Sequence, residues 1–203
     1  MIEYAVCIKD VSFGYEDFRY RTPIKFGGVA LDRVTILNVD MTVEPVGVTG
    51  KVARGFGSMP LGNVWAWPSK ELSYDQTLAA MKQAAVQVEG GYQWYAKTVV
   101  AGHPIAISHD LETHRWFSEP LQAASNPSMP FLAMLVVASA FDAALHDAYG
   151  KAFGLNCYHT YGPPFFDDEG ALRGGHPNVD AGDIPSQSRR RPNARRRLDR
   201  TRR

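Results

Sequence analysis

Two carboxylates in the stretch FDAALHDAYGKAFG, Asp142 and Asp147, are the first residues whose type and spacing could do chemistry. Paired carboxylates can share a proton or hold a divalent cation. A separation of five on an α-helix is about 500° of rotation, so these two leave from different sectors and do not converge on one ion. Structural hydrogen bonding is the expectation for both. A second acidic group, Asp167, Asp168, Glu169, Asp180 and Asp183, lies where no periodicity offers an element to aim ligands. His109 and His114 have half of a zinc-finger spacing and no cysteine pair beside them. Cys157 and His159 are too close together to complete a tetrahedral cluster with anything nearby in sequence. There is no GxSxG, and YGKAFG lacks the spacing of a phosphate loop. His103 precedes Pro104, which suggests an exposed structural turn.

Charge divides the chain in two. Residues 186–203 carry nine Arg against one acid, Asp199, while the preceding 185 residues carry 13 Lys/Arg and 20 Asp/Glu. The formal net charge of +1 is therefore an average over unlike parts and says little about partners. The Arg-rich segment could contact nucleic-acid phosphates, but no aromatic side chain interleaves it to stack on bases. It also lacks the apolar content that offsets ordering entropy, so it reads as disordered. Arg, Pro and Gly are what misread GC-rich coding sequence gives. A change of reading frame near residue 170 is thus an expectation, tested by a barrel-like continuation in another frame of the adjacent DNA.

The elements that must position any site read as strands first, then helices. Residues 2–13 alternate loosely, and residues 33–43 and 48–56 are rich in β-branched side chains, with Pro45 and Gly47 suited to a turn between the last two. Pro23, Gly27 and Gly28 suggest that residues 18–28 form a loop. The run GFGSMPLGNVWAWPS, with three Gly and two Pro, reads as irregular, its Trp65 and Trp67 either filling the core or facing a partner. Ser73 can cap a helix starting at Tyr74, interrupted at Gly90 and Gly91. Further helices are expected over residues 92–100, 110–124 and 131–152, the last with apolar residues at helical spacing and Gly154 after its end. The fold class is α+β: a three-stranded antiparallel meander followed by a helical bundle, over residues 1–165, with a tail from 166 to 203. Four Trp, nine Tyr and ten Phe can fill its core. Two cysteines, Cys7 and Cys157, make no disulfide framework. The start MIEYAVCIKD has no signal-peptide pattern, and the apolar run at residues 131–145 is short for a bilayer and contains Asp142. A soluble, cytoplasmic protein is expected.

Taken together, the stretch YRTPIKFGG, the strand pair around residues 33–56 and the run FDAALHDAYGKAFG resemble the enolase superfamily, in its mandelate racemase/muconate lactonizing branch. The family's helix signature falls on Asp142, Asp147, Gly150, Lys151 and Gly154, with His146 where a larger aromatic is frequent. The resemblance covers residues 1–165 and implies a capping domain that normally precedes a (β/α)7β barrel. It further implies that two cap segments, residues 18–28 and 57–67, close over the barrel mouth, with Tyr20, Lys25, Phe26, Met59, Leu61 and Trp65 facing a small carboxylate or acid-sugar substrate. Intact relatives use magnesium and a Lys or His base to remove the proton beside a carboxylate, as the handling of enolate intermediates requires. A barrel takes roughly 250 residues. Only 38 follow residue 165, and Lys151 is the last lysine, with no KxK pair beyond the cap. The expectation is a truncated racemase, dehydratase or cycloisomerase relative, inactive alone, with no catalytic residue, metal or cofactor of its own. Self-association through an exposed apolar face is expected, membrane contact is not, and nucleic-acid binding through the tail is the rival reading. A third is a cap completed by a separate barrel chain.

Overall fold

A computed structural model describes residues 4–26, 29–48, 50–98, 101–113, 116, 129–162 and 165. The acids at 167–183, His114 and the Arg-rich segment lie outside the described residues. The architecture is α+β. Strands β1 (Val6–Phe26), β2 (Val29–Pro45) and β3 (Ala53–Pro60) form one antiparallel sheet in the order β1-β2-β3. Helices α1 (Asn63–Ala66), α2 (Tyr74–Thr98), α3 (Pro104–Thr113) and α4 (Phe131–Phe153) follow, then a 3₁₀ turn, Cys157–Thr160.

Period-2 alternation decides which face of the sheet is covered. Along β2, Thr35, Leu37, Val39, Met41 and Val43 are buried under the helices, while Ile36, Asn38, Asp40, Thr42 and Glu44 face the open side. That open side is polar and internally paired. Asn38 donates to Glu16 at 3.2 Å and accepts from Ser58 at 2.7 Å, while Arg54 meets Asp40 at 3.1 Å and Lys9 meets Glu44 at 2.6 Å. The hydrogen bond from Lys9 and one from the Gly50 N–H hold the Glu44 carboxyl below its usual range.

Helix α4 lies across the covered face. Gly55 and Gly57 of β3 put their backbone directly on its small-residue row Ala140, Ala144 and Ala148. Phe141, one residue from that row, is fully buried between Phe13 of β1 and Tyr92 of α2. The sheet and both long helices thus share one core, which runs in sequence from Val6 to Phe165. Over its full 23 residues α4 is long and apolar enough to cross a membrane, more than residues 131–145 alone suggested. Its apolar character is spent on the sheet, with 61% of its most apolar window buried.

Several expectations change. Residues 18–26 continue β1 instead of looping: Pro23 falls where β1 slips register between Arg19 and Ile24, so its missing N–H breaks no ladder bond. The third strand runs over 53–60 rather than 48–56, and the Gly/Pro run supplies six of its eight residues. An edge position tolerates Pro60, and the glycines serve close approach to α4. Helix α2 passes unbroken through Gly90 and Gly91, and the glycine at 91 serves packing, since a Cβ there would come within 3.0 Å of the Trp116 ring. Helix α3 starts at Pro104, where the missing N–H is harmless, not at residue 110. Ser73 does cap α2, in a reciprocal box: Gln76 N–H donates to Ser73 Oγ at 3.3 Å, and Ser73 N–H donates to Gln76 Oε1 at 2.8 Å.

Candidate functional site

The two segments singled out in the sequence come to the same end of the sheet. β3 stops at Pro60, opposite Ile36, whereas β2 begins seven residues earlier at Val29. The β1–β2 pair therefore continues past β3 as a two-stranded arm about 24 Å long at roughly 3.4 Å per residue. Its side chains stand in solvent: Lys25, Phe18, Ile24, Phe26 and Val29 are exposed, and Tyr20 is half-buried within the register slip.

The arm is fixed at its root by the start of α2. Arg33 donates to Asp75 at 2.8 Å and stacks over the Tyr74 ring at 4.8 Å, and the Tyr74 hydroxyl donates back to the Arg33 carbonyl at 3.4 Å. On the β1 side, Lys82 lies over the Tyr15 ring at 4.8 Å and the Tyr15 hydroxyl donates to the Lys82 carbonyl at 2.9 Å. Burial there pushes the Tyr15 phenol up to about 12. Thr35 donates to Asp17 across the strands. These paired cation–ring and hydrogen-bond contacts aim the arm while leaving Ile24, Lys25, Phe26 and Val29 exposed.

Beside the root, the chain leaves β3 through Leu61 and Gly62 into the single turn α1. Asn63 anchors this crossover by donating to the Tyr74 carbonyl and to Thr77 Oγ1, both at 2.9 Å. The Trp65 indole occupies the space next to Gly62, where a Cβ would come within 1.8 Å of Nε1. The two tryptophans divide the roles left open by the sequence: Trp67 is 3% exposed in the core and Trp65 is 43% exposed. Met59 is half-buried, and Leu61, at 1% exposure, belongs to the core. Leu61 thus has no open face in this chain.

The signature residues on α4 are engaged structurally. Asp147 accepts the Phe56 N–H at 2.8 Å, closing one donor on the outer edge of β3, and accepts Lys151 Nζ at 2.6 Å. Asp142 accepts from Ser108 of α3 at 2.6 Å and pairs with His146 at 3.4 Å. Gly150 and Gly154 let the chain reverse: Leu155 N–H donates to the Gly150 carbonyl at 2.8 Å, where a Cβ would crowd the Leu155 carbonyl at 2.7 Å, and Gly154 takes φ 68°. Magnesium, which the family resemblance implies, does not fit these residues. The two carboxylates face different neighbours, and among the described residues no group of three or more His, Cys, Asp or Glu could hold a metal ion.

Removing both bonds with Asp147→Ala is expected to cost about 1–2 kcal/mol in urea unfolding, since the Phe56 N–H loses its partner. Lys151→Ala, which removes only an exposed ion pair, is expected to stay within about 0.5 kcal/mol of the parent. Equal effects would show that the charge pair, not the strand-edge bond, is what Asp147 contributes.

His103 is a correction to the sequence reading. It lies in the interior at 5% exposure, its Nδ1 accepting the Ile105 N–H at 3.3 Å and its ring edge-on to Tyr149 at 4.9 Å. No sequence signal other than its place between α2 and α3 marks it.

No family model matches the chain, and no curated protein matches it. Among solved structures it is similar to an enolase from alpha proteobacterium bal199 with bound Mg, at 12% identity and a TM-score of 0.47 over 73% of this chain and 32% of that one. It is also similar to an enolase from Bradyrhizobium complexed with magnesium and mandelic acid, at 16% identity and a TM-score of 0.46 over 74% of this chain and 33% of that one. The chain spans about a third of the length of these structures.

Proposed function

We propose that the folded unit is the capping module of a magnesium-dependent enzyme of the enolase superfamily, in the mandelate racemase/muconate lactonizing branch. Such an enzyme removes the proton beside a carboxylate, as a racemase, dehydratase or cycloisomerase. The observation that carries the reading is the placement, at one end of one sheet, of a long anchored arm and a Gly/Trp crossover, backed by a helix whose Asp147, Gly150, Lys151 and Gly154 are used for structure. The substrate is a small carboxylate or acid sugar. Tyr20, Lys25, Phe26, Met59 and Trp65 shape its selection, and Leu61 supports them from the core.

The cation and the acid–base groups belong to a barrel outside this unit, and the polypeptide alone is inactive in the cytosol. Exposed Trp65, Phe131, Leu132 and Leu135 form the surface that a barrel or a second copy covers. The test is solvent exchange of an α-proton across a carboxylate panel with magnesium present. No deuterium is expected to enter with the 203-residue polypeptide alone, and exchange is expected once a barrel-bearing polypeptide of the same superfamily is added. Magnesium-dependent exchange by the polypeptide alone would falsify this division of labour.

A further inference from the structure

The two edges of the sheet are finished differently. β3 is short, ends at Pro60 and gives its Phe56 N–H to Asp147. β1 runs 21 residues, and its start is paired on the outside, where Val6 and Gly102 exchange both backbone hydrogen bonds at 3.0 Å. From Ile8 to Arg19 no other backbone segment pairs with that edge among the described residues. Proteins blunt such an edge with a bulge, a proline or a lysine. Here the bulge residue Lys9 and Pro23 lie on either side, and the stretch from Asp10 to Arg19 holds no Pro or Lys.

Val6 sets the sense of the ladder: its side chain is buried, and its N–H and C=O point away from β2 toward Gly102. The extra residue at Lys9 shifts side-chain and backbone alternation together, so Val11, Phe13, Tyr15, Asp17 and Arg19 aim their N–H and C=O outward. Two of these positions are charged, with opposite sign. Asp17 accepts from Thr35 and lies 4.0 Å from Lys82, both through Oδ1, and among the described residues no hydrogen bond or ion pair uses its Oδ2. Arg19 is exposed and meets no acid among those residues. Between the two stands Phe18, 46% exposed on the open side of the sheet.

We infer that this edge is an interface with a second copy of the chain: β1 pairs antiparallel with the partner's β1 about a two-fold axis at Phe18. That axis puts Asp17 opposite the partner's Arg19, and Arg19 opposite the partner's Asp17, both at positions whose backbone groups exchange hydrogen bonds across the edge. Phe18 meets the partner's Phe18, and Glu16 meets the partner's Tyr20. Opposed residues of an antiparallel pair share a face, so the axis falls on a residue and the neighbouring registers are few. Moving it to Asp17 sets two carboxylates against each other, and moving it to Arg19 sets two guanidinium groups against each other, so charge selects Phe18. The product is one continuous sheet, ordered β3-β2-β1-β1-β2-β3. The arm from Ile24 onward stays outside the pairing, as do Trp65, Phe131, Leu132 and Leu135, so this interface is separate from the surface assigned above to a barrel.

Sedimentation of the full chain over a concentration series is expected to show a weak monomer–dimer equilibrium, because only residues 16–20 of each strand pair. Arg19→Asp, which sets acid against acid twice by symmetry, is expected to weaken association about tenfold or more, and adding Asp17→Arg is expected to restore it to within about threefold. Position 18 faces its own copy at a Cα separation of about 4.5 Å, within reach of a disulfide. Phe18→Cys is therefore expected to give, under mild oxidation, a covalent dimer joined through position 18 in both copies. Glu16→Cys, whose copies stand about 14 Å apart in this register, is expected to give none through position 16. Hydrogen exchange on the unmodified chain needs no variant: protection at Tyr15, Asp17 and Arg19 is expected to rise with concentration, while that at Glu16 and Phe18, whose amides face β2, stays level. A monomer at every concentration, a dimer that survives Arg19→Asp and is lost in Leu135→Asp, a doubly exchanged chain no better than Arg19→Asp alone, cross-linking at both positions or at neither, or concentration-independent exchange at Asp17 and Arg19 would each overturn the pairing.

Discussion

Gly57→Ala is expected to destabilise the fold by about 3 kcal/mol, at the upper end of ordinary overpacking, and to lower the thermal midpoint by roughly 6–12 °C. One methyl group has this effect because of what it meets. An ideal Cβ at Gly57 lies 1.9 Å from the Ala140 carbonyl oxygen and 2.6 Å from the Ala144 nitrogen. Both are backbone atoms of α4, so no rotamer change relieves the clash and the helix itself must move. Gly55→Ala meets the Ala144 carbonyl at 2.1 Å and is expected to behave alike. Gly14, in β1, has nothing within 4 Å of its absent Cβ. Alanine there is expected to stabilise by about 0.5–1 kcal/mol through the unfolded chain. Thermal and urea unfolding of the three variants separate close approach from backbone entropy. If Gly57→Ala and Gly14→Ala shifted stability in the same direction, the packing of β3 on α4 described above would be wrong.

The same glycines show where the sequence could be read and where it could not. The order of strands before helices, the α4 periodicity and its stop at Gly154 were all legible, because each depends on local spacing. The Gly/Pro run at residues 55–60 looked irregular because glycine's usual meaning is a turn. Here it marks backbone laid on backbone, and the signal was divided between two distant segments: glycines two apart in a strand, alanines four apart in a helix. Residues 18–26 look like a loop in sequence for a similar reason, since Pro23 breaks a strand only where its N–H is needed, and at a register slip it is not. Asp142 and Asp147 were correctly expected to diverge, because helical rotation alone dictates that. Leu61, which the family likeness puts toward a substrate, is buried in the core at the turn that leads from β3 to Asn63, a position no spacing announces. His103 failed for the opposite reason: a polar residue before proline favours the surface, and only tertiary contacts make an interior position tolerable.

Phe141→Ala is expected to cost about 3–5 kcal/mol, the range for emptying a buried aromatic site. Phe141 takes the inward face of α4: its ring meets Phe13 edge-on at 5.8 Å and lies parallel to Tyr92 at 5.7 Å, 13° from coplanar. Its loss removes from the middle of α4 a side chain in contact with both β1 and α2, so the sheet and two helices loosen together and the arm loses its footing. Leu135→Ala, on the exposed stripe of the same helix, is expected to change stability by no more than about 0.5 kcal/mol. The decisive measurement is the double variant with Gly57→Ala. Gly57 presses on Ala140, the residue next to Phe141, so the helix displaced by the first substitution already has a damaged Phe141 site. The two costs are therefore expected to sum to more than the double variant shows, by at least about 0.5 kcal/mol, as coupled neighbours do. Strict additivity would mean that β3 and the aromatic cluster hold α4 independently, and that the sheet–helix contact is not a single cooperative unit.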